Sequence, residues 1–365
     1  MSLYEKVFTV LLSEIQSGRY KPGQRLASEA ALGKRFKTSR ITIGRALREL
    51  KQRGLIHGVA GSGNFVTPSL QSSDLLFGLL IPNLGETEIF EPICQGMASA
   101  PEAGKFALVW GQVAPDSSLE GQALQLCKQY IDQKVAGAFF APLEMTPNSA
   151  EVNLAISALF EKAAIPVVLL DRCVLPFPQR SRHDLVGIDN RRAGYLAAEH
   201  LIRAGCRNVG FLARAGGAPT VEARISGYRE ALTFYGIEIP AGRVQRLDSI
   251  SLPLVRQAME AAKADAFVCA NDRTAGQFLQ ALQELGLQVP RDVRVVGIDD
   301  VDYARLLSVP LTTVHQPCRE IGHAAITAML SRRERPGMIG RDILLDCRLV
   351  IRKSSGANTG VQAQV

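Results

Sequence analysis

No two cysteines of this chain stand in a CxxC spacing. The seven, Cys94, Cys127, Cys173, Cys206, Cys269, Cys318 and Cys347, are odd in number and scattered, which argues against a disulfide framework or zinc site and for reduced, mostly buried thiols in a cytoplasmic protein. No run approaches the roughly 18 apolar residues of a membrane span. The opening MSLYEKVFTVLLSEIQSG carries Glu5, Lys6 and Glu14 and so lacks the uninterrupted apolar region of a signal peptide. Enzyme signatures are equally scarce: the five histidines (His57, His183, His200, His315 and His323) form no HExxH pair, no Walker A lysine follows a glycine loop, and ARAGGAP lacks the GxGxxG order. Neither a metal, a cofactor nor an enzymatic activity is expected.

What the chain does have is positive charge in one place. Its net charge is +7, yet the first 70 residues hold 12 Lys and Arg against four Glu, a net of +8, and the rest holds 30 against 31. A short basic module on a near-neutral body suits a nucleic-acid binder with a separate partner-binding domain. The 365 residues allow two or three domains at roughly 100 to 200 residues each.

Within the basic module, the stretch TSRITIGRALREL places Ile43, Ala46, Leu47 and Leu50 on one stripe at helical spacing. Ile41, Arg45 and Arg48 project from the opposite side, and Arg40 lies in the first turn, where the helix dipole does not favour a cation. Thr38 or Ser39 can cap the start and Gly54 the end. Leu3, Val7, Leu11 and Ile15 predict an earlier helix ending at Ser17 and Gly18, and Ser28 followed by Glu29 predicts the start of a second. After Gly54, two short strands are expected at Leu55 to His57 and Asn64 to Val66, around a glycine-bearing turn. Three helices and such a hairpin make a winged helix-turn-helix, whose recognition helix enters the major groove.

The polar stretch TPSLQSSD reads as a linker. Beyond it, apolar runs (LLFGLLIP, FALVW, VAGAFFAP, IPVVLLDR, LVGID, NVGFLA, AFVCA, VRVVGID and LTTVH) alternate with helical patterns, which means βαβ units and parallel sheets. The runs are too numerous for one doubly wound unit, so the α/β part is expected to form two lobes. Ligands in such folds bind beyond the carboxyl ends of the strands. The domains are therefore expected at 1–67 (winged helix), 68–74 (linker), 75–355 (two-lobed ligand-binding domain) and 356–365 (frayed tail).

The first 67 residues resemble the DNA-binding domain of the GntR family of bacterial regulators, through Pro22, Gly23, Leu26, Ser28, Glu29, Leu32, Phe36, Ser39, Arg40, Thr42, Ala46, Leu47, Leu50, Gly54, Leu55, Gly61, Gly63, Phe65 and Val66. From Leu75 to Ser355 the chain is similar to the effector domain of the LacI family, itself similar to periplasmic sugar-binding proteins. IPVVLLDR, VGIDNRRAG, ARISGYREAL, CANDRTAGQFLQAL, VVGIDDVDYARLLSVPLTTVHQP and RLVIRKSS carry that likeness. The combination resembles the arabinose-repressor subgroup of GntR regulators. It implies a dimeric, DNA-binding repressor controlled by a small-molecule effector, most simply a sugar.

Carried over by position, the resemblance gives DNA-facing roles to Ser28, Glu29, Lys37, Ser39, Arg40, Thr42, Gly61 and Gly63; Ile41, which can pack on a thymine methyl, and Arg45 are expected to join them in place of two family arginines. The family often has arginine where this chain has Ala30 and Gly44, so two potential guanine contacts, each worth ~1 to 3 kcal/mol of discrimination, are missing. A different operator follows. For the cleft, the resemblance points to Arg224 and Asp272 as partners of vicinal hydroxyls. Phe90 and Trp110 could stack on a sugar face, and Arg172 and Gln316 stand at strand ends facing the cleft. Asp189 and Asp299 read instead as helix caps. Two other classes fit less well: an enzyme acting on a sugar or nucleotide, for which no nucleophile is present, and a constitutive DNA binder, which needs no large cleft domain.

Overall fold

The computed structural model describes residues 3–16, 19–20, 23–52, 55–59, 63–66, 75–81, 88–111 and 118–356. The chain divides into two compact units, Met1–Leu75 with Gly104–Ala107, and Leu76–Ala103 with Leu108–Val365. The expected linker 68–74, Gly54, Gly61 and residues 357–365 of the tail lie outside the described residues.

The first unit holds α1 (Leu3–Gln16), α2 (Glu29–Phe36), α3 (Arg40–Gln52) and an antiparallel hairpin, β1 (Ile56–Val59) with β2 (Gly63–Val66). The hairpin strands run one to two residues longer at the turn than their alternation suggests. Arg25 bridges to Phe65, and Leu26 donates its N–H to the Asn64 carbonyl at 2.9 Å, adding a short third strand to the wing. Ile43, Ala46, Leu47 and Leu50 of α3 are buried against Val7 and Leu11 of α1, Leu32 of α2, and Ile56 and Val66 of the wing. The predicted stripe thus forms the core. At the edge of this core, the buried Glu14 carboxylate takes hydrogen bonds from both Arg35 and Arg19. The Arg35 hydrogen bond holds its carboxyl below the usual range, and two of the module's cations are therefore occupied locally.

The second unit has two sheets of six strands. In chain order its elements are β3 (Leu76–Leu80), α4 (Phe90–Ala98), β4 (Ala107–Val109), α5 (Leu119–Asp132), β5 (Gly137–Phe140), α6 (Ser149–Lys162), β6 (Val167–Leu170), β7 (Asp184–Ile188), α7 (Asn190–Arg203), β8 (Val209–Arg214), α8 (Pro219–Phe234), β9 (Val244–Leu247), α9 (Leu252–Ala262), β10 (Ala266–Cys269), α10 (Asp272–Glu284), β11 (Arg294–Asp299), β12 (Thr312–His315), α11 (Cys318–Glu334), β13 (Asp342–Leu345) and β14 (Arg348–Val350). Sheet order is β13-β7-β6-β5-β3-β4 in lobe 1 and β14-β12-β11-β10-β8-β9 in lobe 2. Apart from β14, which pairs antiparallel with β12, the strand pairs with assigned register are parallel. Helices α4, α5, α6 and α11 belong to lobe 1 and α7 to α10 to lobe 2, so the chain crosses between lobes after β7, after β12 and after β13.

Each lobe has its own core, built around Tyr130, Phe140 and Phe160 in the first and Phe267 and Phe278 in the second. Gly194 and Gly227 let α7 and α8 touch: a Cβ on either would collide with the other helix's backbone at Arg224 or Arg191. That contact fixes the base of Arg224, which α8 carries toward the strand ends.

Candidate DNA interface and effector cleft

The start of α3 is held by its own side chains. Ser39 Oγ accepts from the Thr42 N–H at 3.3 Å and lies 3.0 Å from the Thr42 hydroxyl, while Ser28 Oγ accepts from the Ala31 N–H at 3.2 Å to cap α2. Both serines are thus N-caps, which explains their place at helix starts. Lys37 ends α2 in the left-handed region, φ +48°, with its side chain exposed. Arg40 is 85% exposed and pairs with Glu29 across 3.0 Å, joining the starts of α2 and α3. Ile41 is 81% exposed, an unusual position for isoleucine on a helix whose opposite face forms the core. Arg45 lies with its guanidinium 4.1 Å from the centre of the Tyr4 ring, so it is anchored on α1 while its side chain stays exposed. At the wing, Gly63 has φ +106°, a conformation that favours glycine. Ser28, Glu29, Lys37, Ser39, Arg40, Ile41 and Thr42 therefore gather around the α2 and α3 starts.

In the second unit, a cavity of about 230 Å³ lies between the lobes. Its walls include Glu88, Phe90, Glu144, Arg172, Arg214 and Asn271. Arg172, 6% exposed, follows β6; its Nε donates to Asp171 Oδ2 at 3.1 Å, its Nη1 lies 2.5 Å from Glu144 Oε1, and its guanidinium sits over the Phe90 ring. Asp171 is equally buried, and its Oδ1 has no hydrogen-bond partner.

Beside this wall lies a second polar cluster. Arg224 donates from Nε to Asn190 Oδ1 at 2.7 Å and from Nη1 to the Ala270 carbonyl at 2.6 Å, with Nη2 3.5 Å from Asp299 Oδ1. Gln316 donates to the same Asp299 oxygen at 2.7 Å. Burial, and after it the charges of Asp272 and Asp171, push the Asp299 carboxyl well above the usual carboxylate range, although Arg224 pulls the other way.

Arg224 and Gln316, 4% and 2% exposed, are not among the residues that line the cavity. Two further sequence expectations are corrected by this geometry. Asp272 does not face the cavity: Asn271 caps α10 by accepting from the Thr274 N–H at 2.8 Å, and Asp272 turns inward. Its oxygens accept from the Thr313 hydroxyl at 2.6 Å and the Val301 N–H at 3.1 Å, leaving it fully buried under Gly297. Trp110 is 57% exposed and does not line the cavity, because β4 is the edge strand of the lobe 1 sheet. Asp189 caps α7 as expected, accepting from the Arg192 N–H at 3.0 Å. Asp299 does not act as a cap; it joins Arg224 and Gln316. Glu88, Asp171, Glu144 and Asn271 carry no local motif that marks them as cleft residues, apart from standing just after strands or before a helix.

Among the described residues, no helix is long and apolar enough to cross a membrane. Residues 3–66 match the model of bacterial regulatory proteins of the gntR family, and residues 198–355 that of the periplasmic binding protein-like domain. The arabinose metabolism transcriptional repressor of Geobacillus stearothermophilus is 26% identical over 94% of this chain and 95% of its own length. The ribose operon repressor of Haemophilus influenzae is 30% identical, over 56% of this chain and 60% of its own length. Among solved structures, the transcription regulator GntR from Chromobacterium violaceum superposes with a TM-score of 0.60 at 27% identity, covering 78% of this chain and all of that one. A LacI family regulator from Enterococcus faecium with bound ribose has the same fold, with a TM-score of 0.61 at 22% identity over 76% of this chain and 98% of that one. These relatives are named as repressors and regulators, not as enzymes. The chain is a GntR-type helix-turn-helix domain joined to a periplasmic-binding-protein-like, LacI-type effector domain.

Proposed function

We propose that this chain is a cytoplasmic, homodimeric transcription repressor that binds operator DNA through residues 1–67 and is controlled by a sugar held between the lobes of residues 75–355, with 68–74 as linker. One observation carries the reading: an exposed, cation-bearing helix start on a winged domain occurs in the same chain as a cleft walled by planar fork donors and carboxylates. Of the lining residues, Arg172 and Arg214 supply donors, Glu88 and Glu144 acceptors and Phe90 an apolar base, with the buried cluster of Arg224, Asp299 and Gln316 beside them, a combination suited to vicinal hydroxyls. The partnerless Asp171 Oδ1 is a buried acceptor that a ligand hydroxyl would satisfy. The cavity of about 230 Å³ is smaller than the ~300–1,000 Å³ of drug-sized pockets, which favours a monosaccharide over a larger glycoside. The arabinose and ribose repressors among the relatives point the same way.

On the DNA side, Ser39, Arg40, Ile41 and Thr42 would meet the major groove, with Ser28, Glu29, Lys37, Arg45, Gly61 and Gly63 toward the backbone. Two protomers place two such helices about one DNA turn, or a multiple of it, apart on a pseudo-palindromic site. A sugar alters DNA binding only through its differential affinity for the two arrangements of the dimer.

The test is selection of operator sequences from random duplexes, followed by anisotropy titration with and without arabinose, ribose, hexoses and nucleobases. The reading predicts a pseudo-palindromic site and one sugar that changes its affinity. Arg224→Ala abolishes that response. No selected sequence, or a response to a purine alone, would overturn the corresponding half.

A further inference from the structure

One carboxylate of the protein stands where an anionic ligand group would be expected. Glu144 follows β5 on lobe 1 and is 34% exposed, whereas the Arg172 side chain beside it is 6% exposed. Its Oε1 lies 2.5 Å from Arg172 Nη1, and its Oε2 accepts from the Ala218 N–H on lobe 2 at 3.1 Å. Ala218 is the N-cap of α8 and has no side-chain acceptor of its own; Pro219 follows it. One residue beyond Glu144, the Met145 N–H donates to the Gly216 carbonyl at 3.2 Å, and elsewhere on the cavity rim the Tyr303 hydroxyl donates to Glu88 Oε1 at 3.2 Å. All three hydrogen bonds run from lobe to lobe.

A buried guanidinium beside a helix start is the chemistry that recognises phosphate and carboxylate groups. Here one protein carboxylate already occupies that position: the Ala218 N–H donates to it, and Arg172 Nη1 pairs with it by charge at 2.5 Å, without a hydrogen bond. A ligand phosphate entering that position would meet the Glu144 charge in a partly desolvated site, where like charges repel more strongly than in water. A neutral hydroxyl carries no such penalty. We propose that Glu144 is a specificity-determining residue, filling the anion position between Arg172 and α8 so that the cleft selects uncharged hydroxylated ligands over phosphorylated ones.

The proposal rests on the cleft being the effector site, but inorganic phosphate probes the position without any knowledge of the effector. Thermal unfolding of the full chain is followed at constant ionic strength as chloride is replaced by inorganic phosphate, for wild type, Glu144→Ala, Glu144→Gln and Glu144→Ala with Arg172→Gln. Differences from wild type cancel any phosphate binding by the basic helix module. Phosphate is expected to raise the Tm of Glu144→Ala by a few degrees more than that of wild type, with a smaller gain for Glu144→Gln and none for the double variant. An equal rise in wild type, or a gain that survives loss of Arg172, would overturn the assignment. In parallel, ribose and ribose 5-phosphate are compared on wild type and Glu144→Ala, and the specificity role requires Glu144→Ala to gain the phosphorylated sugar. Binding of ribose 5-phosphate by wild type as tightly as by the variant refutes that role. If the whole sugar panel is silent while the phosphate gain appears, the sugar effector and the specificity role both fail, and only the exclusion of inorganic phosphate by Glu144 stands.

Discussion

Arg40→Ala separates the two ways a cation at the start of α3 can serve DNA binding. The side chain is 85% exposed and its one ion pair, with Glu29, spans 3.0 Å on the surface; exposed pairs of this kind are worth about 0–1 kcal/mol. The fold should therefore tolerate the change, with Tm within about 2 °C of wild type. If Arg40 meets a phosphate, each proposed dimer loses two contacts and the slope of log K against log salt falls by about 1.8. Over a fourfold change in salt, from about 50 to 200 mM, that slope difference amounts to roughly a tenfold smaller loss of affinity. If it reads a guanine instead, affinity falls by ~1 to 3 kcal/mol per half-site and the preference at one base pair relaxes, while the slope changes less. Anisotropy titrations at four salt concentrations, on the selected operator and on duplexes altered one base pair at a time, distinguish the outcomes. Unchanged affinity, slope and base preference together would refute the placement of this helix start on DNA.

Gly44 tests the operator from the opposite direction. A Cβ there meets nothing within 4 Å, so Gly44→Arg is expected to fold, to gain helix stability of about 0.5–1 kcal/mol, and to select an operator richer in guanine at one position per half-site. Asp184 is fully buried between Arg332 and Arg341, which donate to it at 2.7 and 2.8 Å. Asp184→Asn breaks a buried ion-pair cluster, at a cost of about 3–5 kcal/mol, and calorimetry should register a Tm loss on the order of 10 °C. The same carboxyl is lowered to about 2, burial being outweighed by the bonds from Arg341 and Arg332. Its contribution is present above the unfolded value near 3.8 and is lost as pH falls toward 2. His200, half-buried and bonded to Ser355 at 2.9 Å, is lowered to about 4 by desolvation and then by Arg294. The unfolded chain takes up this proton first, so stability should decline as pH falls from about 6.5 to about 4. His200→Gln should flatten that part of a denaturant-melt pH profile.

The DNA-binding half was largely legible because its signals are local. The Ile43–Ala46–Leu47–Leu50 stripe, the Ser28 and Ser39 caps and the charge surplus each occupy a few consecutive residues, and each maps onto the structure directly. Most of the α/β strands were legible for the same reason, since strands buried on both faces are continuous apolar runs. The exceptions are edge strands: β9 reads VQRL, β13 reads DILL and β14 reads RLV, compositions that pairing rather than burial turns into strand. The cleft was legible only in outline. Asp272 follows β10 and Asp299 ends β11, and their roles are set by which neighbour caps the next helix; Asn271 takes the cap, which rotates Asp272 into the core and leaves Asp299 to Arg224. Glu144 could not be read in advance, because its partners are 28 and 74 residues away in sequence, on two different lobes.

The most direct test of the account is reciprocity between its two sites. The effector that changes operator affinity by a given factor must have its own affinity changed by the same factor when saturating operator is present, because the two binding equilibria are linked. Calorimetric titration of the sugar into free and operator-bound protein, set against anisotropy titration of operator with and without the sugar, gives both factors. The account predicts equal factors of about 5 to 150, collapsing to one in Arg224→Ala. A sugar that binds the cleft with identical affinity in the presence and absence of operator would contradict it.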